Sequence, residues 1–319
     1  MALISRAVHA LPWGAAALGA ALVAASMAQA APAKAAPPKS ASGLVYVADP
    51  GGQPFPSVFV YDLSEVLANA NPKPRKQIAG FQFPTAVAVD QSGGFYVADQ
   101  YANIVYYFRA GAIQPERRYS KGINAPVDVA IGNDGTLYVA NSGPASSGTV
   151  VEFAPGSRKP TRTLSGFSGS SPNCIHLDAQ NNLYVGYGTG NGTGAVNEYA
   201  PGASSGTNLG LQNVPTPLGI AIDASGTILV SGYTILGNSY IGLIQSYIYG
   251  QTRSVTLTSM PVFTGKMVLD QNEDALLVAD GAAVATFAFL YPSGQAHSIV
   301  HEIDGEDPAG IAVYPADAL

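Results

Sequence analysis

A short apolar strand of the form Pro84-Thr-Ala-Val-Ala-Val-Asp90 occurs six times along this 319-residue chain. The other copies begin at Pro126, Pro172, Pro217, Thr264 and Pro308, so successive copies start 42, 46, 45, 47 and 44 residues apart. Every copy except the last is followed, after a turn rich in Gly, Asp or Asn, by a second strand such as Gly94-Phe-Tyr-Val-Ala-Asp99. Short strands that repeat at this period are typical of a β-propeller with one blade per repeat.

One repeat predicts a complete four-stranded antiparallel blade. In the copy at Pro126, residues 127–131 alternate large and small side chains, as a strand covered on both faces requires. A turn at residues 132–135 leads to a second strand at 136–140, and the third and fourth strands follow at 148–153 and 162–165. Such a sheet buries both faces only when neighbouring blades stack on it.

The two ends of the repeat region predict how the ring closes. Residues 44–49 (Leu-Val-Tyr-Val-Ala-Asp) align with the second strand of the other repeats, and the matching first strand, Pro308-Ala-Gly-Ile-Ala-Val313, comes last. We therefore predict an all-β fold, a six-bladed β-propeller in which both termini contribute strands to blade 1. This arrangement leaves no blade with an open inner edge.

The first 43 residues have the composition of a signal and a linker. Arg6 precedes an Ala-rich apolar stretch at residues 10–27, which ends in Ala28-Gln29-Ala30, a small-x-small cleavage pattern. We expect a signal peptide at 1–30, a flexible linker at 31–43 and the propeller at 44–319. A membrane anchor is the alternative for the apolar stretch. Cleavage predicts a secreted or periplasmic protein that is not held in a membrane.

Composition limits the classes of partner and the chemistry. The net charge of −6 gives no overall basic footprint, so nucleic acid is not an expected partner. Gly and Pro supply 36 and 23 residues, as a chain with many tight turns requires. Cys174 is the only cysteine, which excludes an intramolecular disulfide.

The repeat pattern resembles a known family. The sequence Pro-x-x-Ile/Val-Ala-Val/Ile-Asp, then a Gly/Asn turn and Tyr-Val-Ala-Asp/Asn, is similar to the NHL repeat and to the six-bladed propellers of the SMP-30/gluconolactonase-like group. It is clearest at residues 84–99 and 126–141. An NHL-like propeller implies a binding module without catalysis. The gluconolactonase-like alternative implies a metal-dependent hydrolase or lyase with a divalent ion, Ca²⁺ or Zn²⁺, in the central channel.

Departures from the repeat mark candidate site residues. The third and fifth positions of the first strands are mostly Ala or Gly, as strands crowded around an axis require. Asp128, Cys174, His176 and Lys266 are the departures. Asp128 and Lys266 lie on blades 3 and 6, which are opposite in a six-bladed ring, and Cys174 and His176 share one strand face. They form either a site for a small ligand or a set of residues satisfied within the scaffold.

Metal binding and rim binding give two further expectations. Asp128 and Asn173 are the weak candidates for metal ligands, and without a glutamate nearby we predict no cofactor for the binding module. Exposed tyrosines beside Asn and Gly suit a small molecule, a glycan or a protein at one propeller face. The rim candidates are Tyr101, Tyr187, Tyr233 and Tyr240, and the connection at residues 231–242 is expected to project as a binding loop.

Overall fold

The computed structural model describes residues 43–315, except residues 53, 69–71, 144–147, 168–169, 261–264, 282–284 and 302–307. The described residues contain 24 β-strands and one short helix, α1 (Leu63–Leu67). In chain order the strands are β1 (Leu44–Asp49), β2 (Ser57–Asp62), β3 (Lys76–Ala79), β4 (Pro84–Val89), β5 (Phe95–Asp99), β6 (Ile104–Phe108), β7 (Arg117–Tyr119), β8 (Pro126–Ile131), β9 (Leu137–Asn141), β10 (Thr149–Phe153), β11 (Arg162–Leu164), β12 (Pro172–Leu177), β13 (Leu183–Gly190), β14 (Thr193–Tyr199), β15 (Thr207–Asn208), β16 (Thr216–Ile222), β17 (Ile228–Leu236), β18 (Ser239–Tyr247), β19 (Val255–Met260), β20 (Met267–Leu269), β21 (Ala275–Asp280), β22 (Ala285–Leu290), β23 (Gln295–His301) and β24 (Gly310–Tyr314).

The strands form six four-stranded antiparallel sheets, which confirms the predicted six-bladed β-propeller. Blades 2 to 6 each use four consecutive strands, from β4–β7 to β20–β23. Blade 1 has the order β24-β1-β2-β3, so the last strand of the chain pairs with the first. In that pair Val45 lies opposite Val313 and Val47 opposite Ile311. The predicted start of the blade 6 first strand at Thr264 lies outside the described residues, and β20 begins at Met267.

A β-bulge shapes the first strand of blades 2 to 5. The pairing register between first and second strand shifts directly after the proline in each case, as between Pro126 and Asp128 or between Pro172 and Cys174. Proline has no backbone N–H to donate to the neighbouring strand, so the ladder is interrupted at this position. A bulge bends the strand and changes the direction of the side chains that follow. The third position of the repeat, which holds Asp128 in blade 3 and Cys174 in blade 4, comes directly after it.

Apolar side chains between neighbouring blades form the core. Between blades 2 and 3, Tyr96 and Val105 pack with Val139 and Phe153, and all four are buried. Complete burial of a side chain such as Phe153 stabilises the fold by about 2–3 kcal/mol. Because each blade contacts its two neighbours in this way, stability depends on the closed series of interfaces.

Polar side chains at the strand ends define two faces of the propeller. On what we call the lower face, where first and second strands connect, Asp178 accepts hydrogen bonds from the N–H groups of Gln180 and Asn182, and its turn joins the preceding blade through a 2.9 Å bond from the N–H of Asn133 to Asn181 Oδ1. The upper face carries the connections between second and third strands and the chain entries into the first strands. On the upper face, side chains at the ends of second strands form hydrogen bonds with the loops that enter the first strands.

The end residue of a second strand anchors the chain that enters its blade. Asp99 is fully buried and accepts hydrogen bonds from the N–H groups of Gln82 at 2.8 Å and Phe83 at 2.9 Å. Asn141 does the same for the N–H of Asn124 at 3.0 Å. These bonds satisfy backbone groups that no strand pairs. The upper connections are therefore held by the scaffold beneath them.

Candidate functional site

The central channel is lined by the first strands of all six blades. A cavity of about 130 Å³ lies along the axis, and its walls are residues 86–89, 128–131, 175–177, 219–220, 266–268 and 310–313. Alanine, glycine and branched aliphatic residues make up most of this wall, as the crowding of six strands predicts. Asp128, His176 and Lys266 are its polar side chains with titratable groups.

Asp128 and Lys266 meet across the channel. Lys266 Nζ lies 2.8 Å from Asp128 Oδ2 and donates a second bond of 2.6 Å to the carbonyl oxygen of Asn173. Asp128 also accepts hydrogen bonds from the N–H groups of Ile175 (2.8 Å) and Val129 (3.0 Å). Burial raises the pKa of the Asp128 carboxyl, and the Lys266 ammonium opposes that effect. Through these bonds Lys266 links blade 6 to Asp128 on blade 3 and to Asn173 on blade 4.

His176 lies in the channel wall with a half-buried ring. Its Nε2 is buried, and no group among the described residues forms a hydrogen bond with it. Burial lowers the pKa of His176 to about 4, and the charge of Asp178 offsets only part of that effect. The imidazole is therefore neutral at pH 7 and contributes no positive charge to the channel.

Cys174 does not belong to the channel wall. Its side chain is fully buried between blades 4 and 5, in a cluster that includes Tyr184, Ile220 and Val230. An added Cβ on Gly186 would lie 2.6 Å from Cys174 Sγ, so the thiol occupies space that the glycine leaves free. Burial raises the pKa of the thiol to about 12. The expectation that Cys174 joins the other three residues at one site is not met, because the strand face that it occupies packs on blade 5.

The donors around Asp128 do not suit a divalent metal. Asp128 pairs with Lys266, the side-chain amide of Asn173 donates to the carbonyl oxygen of Pro217 at 3.1 Å, and the backbone carbonyl oxygen of Asn173 accepts from Lys266. Within the part of the chain that the structure describes, no group of three or more His, Cys, Asp or Glu residues could hold a metal ion. A hard cation needs several oxygen ligands free to face it. These residues therefore do not fit the metal of the gluconolactonase-like alternative.

The four rim tyrosines have different positions. Tyr101 is 55% exposed on the upper face and stacks on Phe83 with ring centroids 4.3 Å apart. Tyr240 is exposed and contacts the half-buried Tyr233 edge to face. Tyr187 is buried, and its hydroxyl group donates to Asn197 Oδ1 at 3.2 Å. The structure thus places Tyr187 in the core rather than on the rim, because it packs against Phe167 between blades 3 and 4.

The blade 5 connection that was expected to be a loop is an extended hairpin. Strands β17 and β18 have nine residues each and pair as far as Leu236 and Ser239. Beside it, the β13–β14 hairpin of blade 4 also extends past its blade, and an added Cβ on Gly192 would lie 2.5 Å from the backbone nitrogen of Ile235. The two hairpins therefore support each other above the upper face.

Sequence reasoning missed the aliphatic and Phe residues that this face exposes. Ile235 and Leu236 are exposed at the hairpin tip, Leu236 by 69%, and Phe55 is 62% exposed in the connection from β1 to β2. The available signal was the apolar run around Ile235, which lies beyond the last position at which β16 pairs with β17. Large apolar side chains placed there have no neighbouring blade to cover them.

The two faces of the propeller differ in charge. Among the described residues of the upper connections, Lys121 is the exposed charged residue, since Asp49, Asp99 and Asp280 are buried. The lower connections expose nine charged residues: Glu65, Lys73, Arg75, Arg109, Glu116, Asp134, Arg158, Lys159 and Arg253. Within the described residues, the apolar side chains of the upper face therefore have few exposed charges around them; the connection from β23 to β24, which contains Glu302, Asp304, Glu306 and Asp307, lies outside those residues.

Comparison with known proteins shows the class of the fold. No protein-family model and no curated protein matches the chain. A chain in the crystal structure of a nidogen/laminin complex superposes with a TM-score of 0.65 at 13% identity, covering 86% of this chain and 98% of that chain. A chain of Kuenenia stuttgartiensis hydrazine synthase gives 0.58 at 16% identity, with coverages of 73% and 70%. At such identities the likeness establishes a β-propeller and leaves the activity open.

A search of the described residues for membrane spans found no helix with the length and hydropathy to cross a bilayer.

Proposed function

We propose that this protein is an exported, non-catalytic binding module of NHL-like type, which holds a protein partner on its upper face. The observation that carries the proposal is the set of apolar side chains that the upper connections expose, together with the low exposed charge of the described residues around them. Phe55, Tyr101, Ile235, Leu236 and Tyr240 are exposed there, with Lys121 as the exposed charge among the described residues. Interface centres are similarly depleted in charge and enriched in aromatic residues.

Rigid support makes these side chains suitable anchors. Tyr101 is stacked on Phe83, and Asp99 accepts hydrogen bonds from the N–H groups of Gln82 and Phe83 and, at 3.3 Å, of Ala102. The blade 5 hairpin has a continuous ladder of pairs up to its turn and rests on the blade 4 hairpin. Anchors that are already ordered lose less conformational entropy when a partner binds.

A protein partner suits this face better than a sugar does. Tyrosines beside amide side chains serve either ligand, but the aliphatic side chains of Ile235 and Leu236 gain most from an apolar surface that excludes water. The nidogen/laminin chain with the same fold was crystallised in a protein complex, which agrees with this choice. In the channel, Asp128 and Lys266 form an ion pair with each other, and we therefore place the partner on the upper face rather than there.

Matched pairs of substitutions on the two faces test the proposal. The upper-face variant is Tyr101→Ser with Leu236→Ser, and the control is Tyr249→Ser with Ile113→Ser, which removes the same kinds of exposed side chain from the lower face. Immobilised wild-type protein and both variants are incubated with the envelope and extracellular fractions of the source cells, and bound proteins are identified by mass spectrometry.

We expect one protein to be retained by the wild type and by the control and lost from the upper-face variant. Circular dichroism melting curves of all three proteins check that the fold is intact. Retention by the upper-face variant, equal loss from the control, or no retained protein would each contradict a partner site on the upper face.

A further inference from the structure

The basic residues of this acidic chain are concentrated in one segment. Ten of its 15 Lys and Arg residues lie between Pro72 and Arg162, whereas Arg253 and Lys266 are the two that follow Arg162. Of the 21 Asp and Glu residues, 12 follow Arg162. From residue 44 to Arg162 the ten basic residues are accompanied by nine acidic ones, whereas after Arg162 two basic residues are accompanied by 12 acidic ones, so the negative charge of the propeller is concentrated in its second half.

The fold places all ten basic residues on the outer parts of blades 1 to 3, five of them in lower connections and Lys121 in an upper connection. They lie on the outer strands β3, β7 and β11 or in the connections next to them. The Nζ of Lys76 on blade 1 donates a 2.7 Å bond to the carbonyl oxygen of Gly111 on blade 2. An added Cβ on Gly122, next to Lys121, would lie 3.2 Å from Pro160 on blade 3. These contacts join the outer parts of blades 1, 2 and 3, and we call the ten basic residues there the basic rim.

Most of the positive charge on the basic rim is not neutralised. Arg75 pairs with Asp62 at 2.9 Å, Arg109 and Arg117 share Glu116, and Arg162 pairs with Glu152. The other six basic residues form no ion pair with any described residue; they are Lys73, Lys76, Arg118, Lys121, Arg158 and Lys159. All of these except Lys76 are exposed.

Protection of sheet edges does not account for the basic rim. Charged residues on an outer strand discourage pairing between molecules. The outer strands of blades 4 to 6, β15, β19 and β23, nevertheless contain no Lys or Arg. Lys73, Arg158 and Lys159 also lie in connections rather than on an edge strand. The basic residues therefore occur on blades 1 to 3 in particular, and not on every blade that has an exposed outer strand.

We propose that the basic rim binds an acidic polysaccharide, which follows the circumference from blade 1 to blade 3. The rim is convex and covers three of the six blades, so a flat membrane or a stiff DNA duplex would reach only part of it. A flexible polyanion can follow the curve and contact all six uncompensated cations. Single-stranded nucleic acid is flexible too, but it uses exposed aromatic rings for stacking. Here Arg117 and Arg118 lie over the rings of Tyr107 and Tyr106, at 4.8 and 5.4 Å from the centroids.

The test uses heparin, a sulfated polysaccharide, and two triple variants of equal charge. The rim variant is Lys73→Gln, Arg158→Gln and Lys159→Gln. The control is Lys34→Gln, Lys39→Gln and Arg253→Gln, which removes three positive charges that are not among the ten residues of the rim. The affinities of the wild type and both variants are measured for heparin, uncharged dextran, oligo-dT and anionic phospholipid vesicles. The salt concentration is varied from about 50 to about 200 mM, the range over which contacts between basic side chains and phosphate groups weaken strongly.

We expect the wild type and the control to bind heparin and the rim variant to bind it about 10- to 100-fold more weakly. The slope of log affinity against log salt concentration should be smaller in magnitude by about 2–3 in the rim variant. Dextran should not bind. Equal affinities of the two variants, no binding of heparin by the wild type, or tighter binding of oligo-dT or vesicles than of heparin would overturn the proposal. The upper-face variant should bind heparin normally, which separates this result from the test of the proposed function.

Discussion

Lys266 Nζ and Asp128 Oδ2 are 2.8 Å apart across the central channel, although the two residues are 138 positions apart in the chain. Both side chains are largely buried, at 13% and 9% exposed. The ion pair therefore links two opposite blades through the axis of the ring. The stability of the fold should therefore depend on this ion pair.

Lys266→Met should destabilise the fold by about 3–5 kcal/mol, because Asp128 would be left as a buried carboxylate without its partner. The free energy of unfolding is measured by urea titration followed by circular dichroism. Arg75→Met is the matched control; it breaks the exposed pair with Asp62 and should cost less than about 1 kcal/mol.

A second variant separates loss of charge pairing from loss of packing. Replacing both partners, Lys266→Met with Asp128→Leu, should recover most of the stability because no buried charge remains. If the double variant were less stable than Lys266→Met, or if Lys266→Met matched the Arg75→Met control, the pair would not have the assigned role.

Stability should fall between about pH 6.5 and pH 4 because of His176. Burial holds the folded pKa of His176 at about 4, below its ordinary value of about 6.5. The unfolded chain therefore takes up this proton first as the pH falls, and the folded state loses on the order of 3 kcal/mol across that window. Below about pH 4 both states are protonated at this residue, and its contribution no longer changes.

Urea titrations of the wild type and of His176→Gln at pH 7 and pH 4 measure this effect. The variant should lose less stability on acidification than the wild type, whatever its stability at pH 7. An identical pH dependence in wild type and His176→Gln would show that the imidazole is not held neutral by the fold.

Cys174 should not react with thiol reagents in the folded protein. Its side chain is fully buried between blades 4 and 5, and burial raises its pKa to about 12, so little thiolate exists at pH 8. Because it is the only cysteine, labelling with a chromogenic disulfide reports on this site alone. We expect labelling at the rate of global unfolding and immediate labelling in denaturant; stoichiometric labelling of native protein within minutes would place the thiol at an accessible surface.

Removal of the closing strand should abolish cooperative folding. Deleting residues 307–319 removes β24 and uncovers the edge of β1, where Val45 and Val47 pair with Val313 and Ile311. We expect an insoluble protein or one without a cooperative thermal transition. Deleting residues 31–41, which precede the described residues, should leave the melting temperature within a few degrees. A soluble 307–319 deletion with the wild-type melting temperature would mean that blade 1 does not need β24.

Local features of the sequence predicted the architecture well because the blade is encoded within short windows. The alternation in residues 127–131 and the turn after it specify a strand and a hairpin without reference to the rest of the chain. The match of residues 44–49 to a second strand likewise identified the closing pair. The six-fold repeat then placed Asp128 and Lys266 on opposite blades.

The direction and depth of individual side chains depended on contacts between blades. Tyr101 follows the second strand of blade 2 and is exposed, whereas Tyr187 lies within the second strand of blade 4 and is buried against Phe167. The predicted loop of blade 5 is a hairpin, since Ile235 and its neighbours continue the strand and rest on blade 4. No single repeat contains that information.

The sequence by itself therefore determined the recurrent strand, the number of blades and the strand that closes the ring, because each of these follows from hydrophobic periodicity over a few residues. Only the tertiary structure decided which departures from the repeat meet. It brought Lys266 to Asp128, turned Cys174 towards blade 5, and exposed the hydrophobic residues of the upper connections. These outcomes depend on bulges, blade stacking and the distance across the channel, which no local pattern specifies.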